Sequence, residues 1–255
     1  MGMFLPPVGD SEQWTRFGGG STSIAHIREY SQKMREHGFY VLSYFNVTEF
    51  GTKVTWPPPQ RNAKDEADLW KDPDEFIYGK LAEAILYIPS RVSAENLKFY
   101  PRTKLNGPYL TWEDAIVLDP GEPVYQSFLL DQARRHIGEI PDSSGICIDR
   151  MDWLRMYNER RDDGASWFDR KPARAMVNSW RELMAKLGPM MHDAGKVIFV
   201  NNHTKRIDLL KHVDGFFDEF TYRGVPLNLT AFLGINKSAL GWTSNAEDLK
   251  PDPDA

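Results

Sequence analysis

Several short apolar stretches of this chain end in side chains able to do acid–base chemistry or to bind polyols. Residues 40–45 lead to Asn46 and Glu49, residues 115–118 to Asp119, and residues 145–148 to Asp149, Arg150 and Asp152. Residues 196–200 lead to Asn201, Asn202 and His203, residues 215–217 to Asp218 and Glu219, and residues 239–242 to Thr243. Two carboxyls without a metal can divide the work of nucleophile and general acid/base. Aspartate and asparagine also cap the helix or turn after a strand. Asp119, directly before Pro120 and Gly121, is therefore read as turn former and as functional group alike. Glu49 and Asp152 stand between the two readings, and Asp149, emerging straight from Gly-Ile-Cys-Ile, is read as functional.

Around these carboxylates lie Tyr44, Trp153, Tyr157, Asn158, Trp167, Phe220 and Trp242. Aromatic faces cover the apolar face of a sugar ring, while Asn, Asp and Arg bond its hydroxyls. The set favours a carbohydrate as partner. Other chemistries lack their parts. His37, His136, His192 and His212 fall near the ends of helical patterns, where the dipole favours a cation, and His26 lies inside one. No His-x-His or His-Glu-x-x-His pair is present to seat zinc, and no Gly-x-Ser-x-Gly elbow supplies a serine nucleophile. Gly18-Gly19-Gly20 lacks the Gly-Lys-Ser/Thr ending of a phosphate loop. Cys147 is the one cysteine, read as a core thiol. No metal or cofactor is expected.

Composition narrows the class further. The net charge of −5 gives no cationic field for nucleic acid. No apolar run reaches the roughly 18 residues that span a bilayer. Residues 1–7 lack a basic region followed by a long apolar stretch, so a cytoplasmic protein is expected unless a leader has been trimmed. With 255 residues, 41% of them hydrophobic, the chain can bury one large core.

The elements that must carry these residues follow from hydrophobic spacing. Ile24, Ile27, Tyr30 and Met34 share one helical face, and His37-Gly38 ends it. Asp72-Pro73-Asp74-Glu75 predicts a helix start, with Asp72 as cap, Pro73 at the first position and Glu75 closing a capping box; Phe76, Ile77, Leu81 and Ile85 continue it. Helices are predicted over 124–137, 172–191 and 207–211, the second striped by Met176, Trp180, Leu183, Leu187 and Met190. Short continuous apolar strands alternating with helices imply a parallel sheet. No dinucleotide glycine fingerprint follows the first strand.

The order of these motifs resembles the α-galactosidase and α-glucosidase superfamily of barrel glycoside hydrolases. His37-Gly38-Phe39-Tyr40-Val41-Leu42-Ser43-Tyr44-Phe45-Asn46-Val47-Thr48-Glu49 is similar to its second strand, and Ala115-Ile116-Val117-Leu118-Asp119-Pro120-Gly121 to its third. Gly145-Ile146-Cys147-Ile148-Asp149 resembles the fourth, whose final aspartate is the nucleophile, and Gly215-Phe216-Phe217-Asp218 the sixth, whose final carboxyl is the acid/base. The resemblance implies a retaining glycosidase for α-linked sugars, with Asp149 as nucleophile and Asp218, or its neighbour Glu219, as acid/base. It adds Asn46, Glu49, Asp119, Arg150, Asp152, Trp153, Asn201, Asn202, His203 and Trp242 as the sugar-binding set. The lysine common two places before the nucleophile is Cys147 here, so the sugar-hydroxyl contact it implies is either missing or supplied by Arg150.

The implied fold is α/β, a TIM-type (β/α) barrel with about six of its eight strands, one domain over residues 1–255. An insertion at about 52–110 interrupts it, and residues 245–255 form a loose tail. Phe4-Leu5-Pro6-Pro7 stands as the remnant of a first strand, and nothing after Trp242 supplies an eighth. Open barrel edges imply a homodimer, or an insertion folded over the gap. The other function considered is a non-catalytic carbohydrate-binding or assembly module derived from such a barrel.

Overall fold

The computed structural model describes residues 3–8, 11–15, 22–48, 50, 54–69, 72–88, 106–111, 115–149, 151, 156–201, 206–218, 230–232, 234 and 236–241. In chain order these form β1 (Met3–Val8), β2 (Ser11–Thr15), β3 (Thr22–Ser23), α1 (Ile24–Glu36), β4 (Leu42–Asn46), α2 (Glu66–Leu69), α3 (Pro73–Lys80) and α4 (Pro123–Glu139). There follow β5 (Gly145–Asp149), β6 (Tyr157–Asn158), β7 (Ser166–Phe168), β8 (Lys171–Ala175), α5 (Met176–Asp193), β9 (Val197–Asn201), β10 (Gly215–Asp218) and β11 (Ser238–Gly241).

Five strands make one parallel sheet in the order β11-β10-β9-β5-β4. Neighbours in the sheet are neighbours in sequence among these five, the arrangement of a barrel wall, and β4 and β11 stand at its two ends among the described strands. One face is dry. Ile146, Ile148, Ile198, Val200 and Phe216 alternate onto it and are buried with Leu129 and Ala133 of α4 and with Trp180, Leu183 and Leu187 of α5. The stripe expected on α5 is thus the one it buries.

The third strand of the resemblance is not in this sheet. β4 pairs directly with β5, Leu42 to Gly145 through Asn46 to Asp149, which leaves no place between them. Residues 115–118 run antiparallel to their partners instead: Ile85 pairs Leu118, Leu110 pairs Ile116, and the Leu118 and Phe50 N–H groups donate to Thr48 O and Ile116 O, both at 3.0 Å. The apolar run is a strand-like core segment, but the residues after Asn46 and those from the 85–110 stretch take its hydrogen bonds. Phe4 to Pro7 likewise belong to β1, which pairs antiparallel with β2 in a separate three-stranded sheet, β1-β2-β3.

Local signals explain the helix ends. α1 closes with Phe39 N–H bonding Met34 O and Gly38 N–H bonding Arg35 O, and Gly38 sits at φ 81°, a left-handed conformation that favours glycine. Its stripe is buried at Ile24 only, because Tyr30 is half-exposed. Asp72 caps α3, accepting from Asp74 and Glu75 N–H groups at 2.8 and 3.1 Å. The Glu75 carboxylate does not close the box; it accepts from Asn62 N–H. α3 stops at Lys80, and a 3-10 turn over Ala82–Ala84 follows. α5 begins at Met176, four residues later than predicted, because Lys171–Ala175 is the central strand of an antiparallel sheet, β6-β8-β7. Its hairpin turns at Asp169 and Arg170, both at positive φ. None of the described helices is long and apolar enough to cross a membrane.

Two histidines read as favoured cations are held neutral. His136 is fully buried, its Nε2 2.8 Å from Ser43 Oγ, and burial, with help from Lys196, pushes its pKa down from 6.5 to about 4. Burial also lowers His212. An imidazole with a depressed folded pKa binds fewer protons than the unfolded chain, so stability is full above pH 6.5 and is lost as pH falls toward 4. At about 1.4 kcal/mol per pH unit, His136 alone accounts for roughly 3 kcal/mol of that loss. Urea unfolding at pH 7, 5.5 and 4 should show the decline, and His136→Gln should flatten it; an unchanged slope in the variant would show that other groups carry the acid sensitivity.

Candidate active site at the strand ends

Asp149 ends β5, and strand register decides its company. Asn46 pairs with it on β4, and on the other side Asn201 ends β9 in register with Phe217 of β10. Tyr44 lies two residues before Asn46 and so on the same face. Its hydroxyl donates to Asp149 Oδ2, while Asn201 Nδ2 donates to Oδ1 at 2.7 Å. The carboxylate is thus fixed by two donors from the two strands that flank it. Asn201 and Asn46 are 2% and 7% exposed, whereas Tyr44 keeps 44% of its surface open beside the carboxylate. Met151 N–H donates to Asn201 O at 3.3 Å and ties the exit of β5 to β9.

Cys147, two places before Asp149 on the same face, sits where the resemblance has a lysine. Burial and then the nearby Asp149 push its thiol up to about 11. It is therefore neutral near pH 7 and supplies no positive charge to a sugar hydroxyl or to the carboxylate.

The connection from β5 to α5 carries the β6-β8-β7 sheet, so this small sheet enters the fold at the same strand end as Asp149. Asp163 anchors it, accepting from Ala165, Ser166 and Ala175 N–H groups, Ser166 Oγ and Asn178 Nδ2 at 2.7 to 3.0 Å. Burial opposes ionisation there, but these bonds hold its carboxyl well below the usual range. Tyr157 stacks on Phe168 with centroids 4.8 Å apart, and Trp167 on the opposite side of the hairpin is exposed.

Asp119 is not at this site. It is fully buried, accepting from Gly121 N–H and Asn158 Nδ2, both at 2.9 Å, so its oxygens serve the turn before α4. Asn158 is committed to the same cluster through Glu122, at 3.1 Å, and Arg161 bridges Glu122 and Glu83, both at 2.7 Å. The sequence held no signal for this network, whose members lie 36 to 78 residues apart. Asp218 ends β10 opposite Gly241, one residue past the row that joins Asp149, Asn201 and Phe217. Glu49, Arg150, Asp152, Trp153, Asn202, His203, Glu219, Phe220 and Trp242 lie outside the described residues. Among those described, no group of three or more His, Cys, Asp or Glu side chains could hold a metal.

Fold and site together define a mixed α/β chain with a five-stranded parallel sheet and, at the strand ends, an aspartate held between a tyrosine hydroxyl and an asparagine amide. No family model matches the sequence, and no curated protein does. Among solved structures, the chain is similar to a noncanonic maltogenic α-amylase, AmyB from Thermotoga neapolitana, at 12% identity and a TM-score of 0.43. That match covers 80% of this chain and 34% of the amylase, so the chain spans about a third of its length.

Proposed function

We propose that the chain is a retaining glycoside hydrolase acting on α-linked sugars, with Asp149 as nucleophile. The observation that carries the reading is the carboxylate of Asp149, which ends a parallel strand with one oxygen accepting from Tyr44 and the other from Asn201. Donors at both oxygens fix the direction in which the carboxylate presents itself for attack. In the first step the carboxylate bonds the anomeric carbon as the glycosidic C–O bond breaks, and an acid gives its proton to the departing oxygen. In the second, the same group, now a base, takes a proton from water, which displaces Asp149 and releases the sugar.

The acid/base comes from the Asp218-Glu219 pair, two strands from β5. Strands about 4.8 Å apart put the two backbones roughly 10 Å from one another, a span across which carboxyls converge to the roughly 5 to 5.5 Å of retention. Phe217 lies in register with Asn201, and both Asp218, which ends β10, and Glu219 stand as candidates for the acid/base. Incubation with a 2-deoxy-2-fluoro-α-glycosyl fluoride panel and peptide mass analysis should find the sugar on Asp149. Labelling of another carboxylate would remove Asp149 from the role. Glu219→Gln or Asp218→Asn should lose activity that azide restores as a glycosyl azide, and the rescued variant marks the acid/base.

A second reading is a carbohydrate-binding or assembly module without turnover, favoured by the neutral Cys147 in the lysine's place. It expects sugar binding by calorimetry that is unchanged in Asp149→Asn, together with inertness across the glycoside panel.

A further inference from the structure

The two donors that hold the Asp149 carboxylate differ in their surroundings. Asn201 Nδ2 reaches Oδ1 from β9, in mid-sheet, and Asn201 is buried. The Tyr44 hydroxyl reaches Oδ2 from β4, at one end of the sheet among the described strands, and Tyr44 stays open to solvent. In the β4–β5 ladder Tyr44 pairs with Cys147, so its ring leans along the strand to meet the carboxylate two residues on. Cys147 itself, neutral because burial raises its thiol, offers that carboxylate no cation.

Resting on the retaining reading of Asp149, we propose that Tyr44 is a positioning residue for the second step, and that it speeds the release of sugar from Asp149 without speeding the attack. A sugar arriving from solvent meets the carboxylate on its Tyr44 side, so Oδ2 bonds the anomeric carbon and Oδ1 stays with Asn201. As Oδ2 attacks, the bond to the departing oxygen breaks and that oxygen takes the proton of the acid. Oδ2 is now an ester oxygen without charge, and the charge-assisted bond from Tyr44 loses most of its strength. In the second step water bonds the anomeric carbon and gives a proton to the base, while Oδ2 leaves with the electron pair. Charge grows on Oδ2 in that transition state, and the Tyr44 bond strengthens with it. An interaction accelerates a step only where it is stronger in the transition state than in the state before it. Release meets that condition at Tyr44; attack does not, since the bond is at its strongest beforehand. Asn201 differs, because Oδ1 becomes the ester carbonyl and accepts from Nδ2 in both steps.

Tyr44→Phe removes one oxygen from a side chain open to solvent and should leave the urea midpoint where it is. On aryl α-glycosides with good leaving groups, kcat should fall about tenfold, as for loss of a hydrogen bond to a charged group. KM should fall by the same factor, leaving kcat/KM within about twofold of wild type, because slow release lets the glycosyl-enzyme accumulate. Rapid-quench mass spectra of the intact chain should accordingly show the sugar adduct on a larger share of Tyr44→Phe than of wild type at steady state. A fall in kcat/KM at unchanged KM, or no accumulation of the adduct, would overturn the proposal and leave Asp149 as nucleophile. A wild type in which the fluoro-sugar panel labels no Asp149 would overturn the retaining reading, and the role of Tyr44 with it.

Discussion

Asp149→Asn should lower the turnover of activated α-glycosides by about three orders of magnitude or more while leaving the fold intact. The substitution keeps the shape of the side chain and its place between Tyr44 and Asn201. The new carbonyl oxygen can accept from Asn201 Nδ2, and the new amide can donate to the Tyr44 hydroxyl, so neither neighbour loses a partner. What disappears is the negative charge that bonds the anomeric carbon, and losses of this size follow removal of a nucleophile. The check is initial rate on aryl glycosides with good leaving groups, read beside the urea midpoint. Retained turnover with a normal midpoint would dismiss Asp149 as nucleophile. A lost midpoint would point to a structural part for the carboxylate.

Gly145→Ala should destabilise the protein by at least about 3 kcal/mol, the upper range for overpacking a core. A Cβ at this position would stand 1.9 Å from Val197 O and 2.7 Å from Val197 N. Both atoms are backbone of the paired strand, in the register that places Gly145 opposite Val197. No rotamer change relieves such a clash, so either β5 shifts or the β5–β9 ladder opens at its start. The same strand ends in Asp149, which makes activity fall with stability. Chemical unfolding of purified Gly145→Ala decides it: a midpoint close to wild type would mean that the two strands part at little cost.

How much was readable in the sequence depended on the range of the cause. The strands β4, β5, β9, β10 and β11 were legible because a parallel strand shows a short, largely apolar run in its own residues, broken only by Ser43 within β4 and preceded by Ser238 in β11. The α5 stripe and the Asp72 cap are equally local. Residues 115–118 show the same apolar run and still lie elsewhere, since the choice of partner was made by residues near 48, 85 and 110. Lys171-Pro172-Ala173-Arg174-Ala175 reads as a helix start with proline near its first position. Its β character comes from Tyr157, Asn158 and the hairpin partner Ser166–Phe168. At the site, position after a strand was enough to single out Asp149 and Asn201. The role of Tyr44 needed the β4–β5 register, and the burial of Asp119 needed Asn158, 39 residues on.

The direct pairing of β4 with β5 also sets an order of events in time. Strands β5, β9, β10 and β11 fall within residues 145–241, whereas β4 reaches its partner only by closing the loop formed by residues 47–144. Closing about a hundred residues costs entropy before any contact rewards it, and pairings of that separation form late. On refolding of the complete chain, the wall is therefore expected to assemble from β5 onward and to receive β4 as its final strand. Tyr44 arrives with it, so the last hydrogen bond to complete the bracket around Asp149 is also the first to open when the edge frays.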